Sequence, residues 1–229
     1  MENEEHKPKR EIHDVGILDF RSFKSAEELS HISAIRDVGV ILIPESLAGA
    51  LAQINIEDVG SIVPVPDGGK VNCMTGQTRL TGESLENGDP DTILLLVGQT
   101  FITTPCKSVG YKEVRVHGQF FATRGSEAAL APKLASVTGQ NFYIAENPRF
   151  VMGQLEVTAE YLGYLEDPIA LVIMGQVDFA RDVSVEQLRS KVKEIVLMGQ
   201  IKAPAHLIAI LEVITKEKMG AIDVIHGEG

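Results

Sequence analysis

Apolar and polar residues alternate along much of this chain, and the alternation keeps one phase relative to a recurring Gly-Gln dipeptide. Gly-Gln stands at residues 76–77, 98–99, 118–119, 139–140, 153–154, 175–176 and 199–200. Two residues before the glycine come Met74, Leu96, Val116, Val137, Val151, Ile173 and Leu197, apolar in every case. Two residues after it come Thr78, Thr100, Phe120, Asn141, Leu155, Val177 and Ile201, and four after it Leu80, Ile102, Ala122, Tyr143, Val157, Phe179 and Ala203. A two-residue period belongs to β-strands, so these columns and the glycine are expected to share one inner face. Asp-Val-Gly at 14–16, 37–39 and 58–60, and Met219-Gly220, extend the series to eleven glycines. Their intervals are 23, 21, 16, 22, 20, 21, 14, 22, 24 and 21. A unit of about 20 residues cannot bury its own apolar face, so such units stack. The pattern predicts a mainly β fold, a single β-solenoid of roughly ten to eleven rungs.

The connections differ along the chain. Ser25 with Glu28 forms a capping-box signature ahead of Leu29, Ile32 and Ile35. Ser184 with Gln187 repeats it before Leu188, Val192 and Ile195. Pro44 and Pro204 each precede helically spaced apolar residues, where proline suits a first turn. Helix-bearing coils are therefore expected at both ends, over 15–60 and 181–225, with purely β coils over 61–180. Pro132 is expected to cut short any helix in SEAALAPKLA. Residues 1–14 read as a charged, frayed leader, and 15–225 as one solenoid domain.

The strand–helix ends resemble leucine-rich repeats in unit length and periodicity, although the asparagine ladder of those repeats is absent. The middle resembles bactofilins, β-solenoid cytoskeletal proteins that polymerise end to end. That second likeness covers about half of the chain and rests on repeat length and apolar rungs. It implies a non-enzymatic scaffold. Hexapeptide-repeat acyltransferases fit less well, because no six-residue period runs through the coils.

The other strand face supplies the candidate interaction residues. The position after each glycine is Gln77, Gln99, Gln119, Gln140, Gln154, Gln176 and Gln200, a column suited to a side-chain amide ladder. The position before it ends in Met152, Met174 and Met198, and the position three after it holds Phe101, Phe121 and Phe142. Both are apolar strips that need a cover, either the chain's own terminal helices or a partner. A shift of one residue in register would instead turn these columns into core. Further along the same column stand Glu156, Asp178 and Lys202, the nearest approach to an acid/base group. Their simplest reading is a surface charge ladder.

Composition narrows the remaining classes. The net charge of −11 argues against nucleic-acid and anionic-membrane partners. Cys73 and Cys106 are too few for a disulfide framework, which fits a reducing cytoplasm. No apolar run approaches the length of a membrane helix, about 18 residues. Histidines 6, 13, 31, 117, 206 and 226 lack metal-ligand spacing, and the acidic turn Glu86–Asp91 lacks the regular oxygen spacing of a calcium loop. No metal, cofactor or catalytic residue is assigned. The leading expectation is a scaffold that self-associates into a homo-oligomer through lateral or terminal surfaces. The alternatives are a protein- or glycan-binding repeat module, or a β-helix polysaccharide hydrolase or lyase built on Glu156 and Asp178.

Overall fold

A computed structural model describes residues 10–225. The chain is mainly β, and every strand pairing is parallel. Strands β1 (Arg10–Asp19), β2 (Ile32–Pro44) and β3 (Asn55–Val65) form a first stack. Strands β4 (Lys70–Leu80), β5 (Thr92–Ile102), β6 (Glu113–Thr123) and β7 (Leu134–Ile144) form a second. In the third stack each turn of chain supplies two short strands. These are β8 (Pro148–Val151) with β9 (Gln154–Val157), and β10 (Ile169–Ile173) with β11 (Gln176–Phe179). They continue as β12 (Val192–Leu197) with β13 (Gln200–Ala203), and β14 (Thr215–Lys218) with β15 (Ala221–Val224).

The expected single column of rungs is thus three columns. The ladder breaks between β3 and β4 and again between β7 and β8, and within each stack the glycines lie directly over one another. The breaks coincide with the two short glycine intervals, 16 residues between Gly60 and Gly76 and 14 between Gly139 and Gly153. The expected leader also ends earlier, since β1 already begins at Arg10; residues 1–9, with His6, and His226 lie outside the described residues.

Each strand bends at its glycine, and the three stacks make that corner differently. In the second stack Gly76, Gly98, Gly118 and Gly139 have positive φ; in the first, the left-handed residues are Asp14, Asp37 and Asp58. An aspartate tolerates this region better than most residues with a Cβ.

The inner columns are placed largely as expected, with Asn141 of the edge strand β7 exposed instead. Leu96, Val116, Phe120, Ile102 and Ala122 pack in the core of the second stack, and Ile173, Val177, Ile201, Val157 and Phe179 in that of the third. Short helices close these cores: α1 (Ala26–Leu29), α2 (Ala48–Leu51), α3 (Gly82–Glu86), α4 (Glu127–Leu130), α5 (Ala159–Gly163), α6 (Val185–Lys191) and α7 (Ala205–Ile214). The capping signatures hold, with the Glu28 carboxylate accepting from the Ser25 N–H and Ser184 Oγ accepting from the Gln187 N–H. Proline stands at the N-cap of α7, and α4 ends two residues before Pro132. The expectation of helix-free coils over 61–180 is corrected. Thr81 caps α3 by accepting from the Ser84 N–H, and Thr158 caps α5 by accepting from the Tyr161 N–H, so single helical turns form there too.

The stacks join through their other faces. Val40, Leu42, Val63 and Val65, after the corner in the first stack, pack on Val71, Cys73, Leu95 and Val97, before the corner in the second. Phe101, Phe121, Phe142 and Ile144, after the corner in the second, pack on Phe150, Met152, Val172, Met174, Val196 and Met198, before the corner in the third. Each stack therefore offers its trailing limb to the leading limb of the next.

Candidate interaction surface

The two apolar strips that sequence reading singles out cover each other. Phe101 and Phe121 are fully buried and Phe142 nearly so; their rings stack at 5.1 and 4.9 Å between centroids, with Phe150 edge-on to Phe101 at 4.6 Å. Met152, Met174 and Met198 are partly buried against them. The expected cover of terminal helices is replaced by a sheet, because the trailing limb of the second stack and the leading limb of the third both turn an apolar face outward. The junction is locked by Glu194, almost buried, whose carboxylate accepts from the Ala145 N–H and from the Arg124 guanidinium at 3.1 Å.

The glutamine column divides in two. In the second stack Gln77 Nε2 donates to Gln99 Oε1 at 3.0 Å, Gln99 to Gln119 at 2.8 Å, and Gln119 to Gln140 at 3.0 Å. At the top of this ladder the Gln140 amide points at the Met219 thioether, 3.3 Å away. Gln154, Gln176 and Gln200 are neighbours in β9, β11 and β13 but join no ladder. Gln176 donates to Asp178, and Gln200 donates to Asp223 at 2.7 Å. Next to each of these glutamines stands a carboxylate two residues along or on the adjacent rung, a stronger acceptor than an amide oxygen.

Two limbs have no sheet packed on their outer face among the described residues: the leading limb of the first stack and the trailing limb of the third. The first carries Glu11, His13, Arg36, Asn55 and Glu57. The second carries Glu156, Asp178, Lys202 and Asp223 in one register column. Their polarity accounts for their exposure, since the joined limbs present Val, Leu, Phe and Met. Glu156 and Asp178 are adjacent as the sequence implies, on a solvent-facing strip where the Gln176 amide holds the Asp178 carboxylate.

An open cleft of about 400 Å³ lies where the first and second stacks meet at their corners, lined by Gly39, Gly60, Ser61, Val97, Gly98, His117, Gly118 and Thr138. Burial, and secondarily the Arg115 charge, pushes the His117 imidazole below its ordinary pKa. The other sequence candidates have local roles. Burial raises the pKa of both free thiols, Cys73 and Cys106. In the acidic turn the Asp89 carboxylate accepts from the Asp91 N–H and the Thr92 hydroxyl. His206 bonds the Val183 carbonyl. Among the described residues no helix is long and apolar enough to cross a membrane, and no cluster of three His, Cys, Asp or Glu is placed to hold a metal.

Among the described residues the ends of the stacks are uncovered: β1, β4, β8 and β9 leave one edge unpaired at one end, and β3, β7, β14 and β15 do so at the other. Strand β7 is eleven residues long without a charged side chain. Sequence reading could have found it: LASVTGQNFYI is the one Gly-Gln strand followed, after a single short turn, by a unit that starts a new stack. No protein-family model, curated protein or solved structure matches this chain.

Proposed function

We propose that this protein is a non-enzymatic structural component that self-associates through the ends of its strand stacks. One observation carries the reading: among the described residues, parallel strands at both ends leave the backbone N–H and C=O groups of one edge without a strand partner. Strand β7, eleven residues long like the edge strands β3 and β4, carries no charged side chain and no proline, and a single bulge at Ala135 is all that interrupts it. An open parallel edge is a template for another strand of the same kind. The likeness to bactofilin-type scaffolds lies in this logic of stacked rungs with open ends. A reducing, cytoplasmic setting accords with the two free thiols.

The binding-module reading loses its best surface, since the phenylalanine stack is internal. Sedimentation velocity across micromolar to near-millimolar protein tests the proposal. Species that grow with concentration are expected; a strict monomer throughout would overturn it.

A further inference from the structure

Resting on that self-association, we infer which edges meet: β7 of one copy receives β4 of the next, and β14 and β15 receive β8 and β9, each in the register already used inside the molecule. The partner is a second copy of this chain, added head to tail.

Three complementarities at these edges point to it. The amide ladder is directional. At β7 the Gln140 donor is left with only a thioether, a weak acceptor, while at β4 Gln77 Oε1 receives no hydrogen bond among the described residues. A docked copy would place that acceptor on that donor, and reversing every amide would leave the ends just as complementary. The second lies beside the ladder. β4 carries Lys70 and Arg79 and no acidic residue, and the Arg79 guanidinium lies over the Phe101 ring at 5.9 Å. In the continued register its other face meets Phe142 at the opposite end of the same ring stack.

The third concerns Gly153. At Gly175, Gly199 and Gly220 an added Cβ would land on the carbonyl oxygen of the glycine one rung before. Gly153 opens its stack, has an ordinary φ, and an added Cβ would meet nothing within 4 Å. Among the described residues of one molecule, no contact demands glycine there. In the proposed stack the preceding rung is β14–β15 of the neighbour, whose Gly220 carbonyl would occupy that space. The first stack has one rung fewer, so its ends stand apart by an extra strand spacing, about 4.8 Å, and take no part. The gap also separates Asp58 from the neighbour's Asp14, which would otherwise extend a column of like charges.

The test uses full-length protein. Copies carrying T75C and copies carrying T138C, both with Cys73→Ser, are mixed and oxidised; Thr75 and Thr138 are exposed at the two edges. A disulfide-linked pair of unlike copies is expected from the mixture and from neither alone, because adjacent strands bring these Cα atoms within disulfide range. In parallel G153A should melt as the parent does and bind its neighbour at least tenfold more weakly. Self-association that persists in G153A without cross-linking would overturn this inference and leave the general reading standing. A parent protein that stays monomeric would overturn both.

Discussion

At the scale of single residues, the same amino acid does different work according to its rung. Gly199 sits under the carbonyl oxygen of Gly175, so Gly199→Ala must push two rungs apart; a loss of about 3 kcal/mol is expected in denaturant unfolding. Gly153→Ala in the monomer should stay within about 0.5 kcal/mol. The sequence displays both glycines identically, because a repeat says that a small residue recurs and not whether a neighbour crowds it. His117 supplies a pH dependence. Burial holds its folded pKa below the ordinary imidazole value, so as pH falls through about 6.5 the unfolded chain takes up the proton first. Stability from this group is therefore full above that range and declines on acidification. Melting temperatures of His117→Asn, followed from pH 7.5 to 5, should fall less steeply than the parent's. His13 acts in the opposite sense, since Asp14 raises its pKa, so its contribution fades as pH rises and does not mimic the effect.

At the scale of elements, strand phase and the end helices were legible, and the short helices of the middle were not. The alternating columns placed Leu96, Val116, Val177 and Phe179 on the inner face correctly, because burial on one side of a strand writes itself at every second residue. Helices α3 and α5 run to only five residues, too short for a 3.6-residue period to register, and their threonine caps look like ordinary loop residues. Nor did the columns reveal that Phe121 and Met174 meet, since they lie 53 positions apart, in different stacks, by the chain numbering. That junction is where elements depend on one another most. Phe121→Ala should cost about 3–5 kcal/mol. Glu194→Ala should cost about 1–3 kcal/mol by orphaning the Ala145 N–H, with Glu194→Gln recovering part of it. Both are measurable by urea unfolding.

At the scale of the molecule, the number of rungs was readable and their grouping was not. Eleven glycines at near-constant spacing suggest one winding column, and the intervals of 16 and 14 pass for scatter. They are the places where the chain stops climbing and starts a new column beside the old one. The polarity of the limbs then sets the order of assembly: apolar limbs pair within the chain, and charged ones stay in water. The net charge of −11 opposes association over long range, so added salt should promote growth, checked by light scattering between 20 and 300 mM sodium chloride, roughly a fourfold change in screening length.

The first stack is one storey lower than its neighbours. Copies piled on the other two stacks would carry this shortfall along the pile as a row of windows on one side, each a single chain thick. Fibre diffraction from such a pile would pair the strand reflection near 4.8 Å with an axial repeat four times as long, roughly 19 Å.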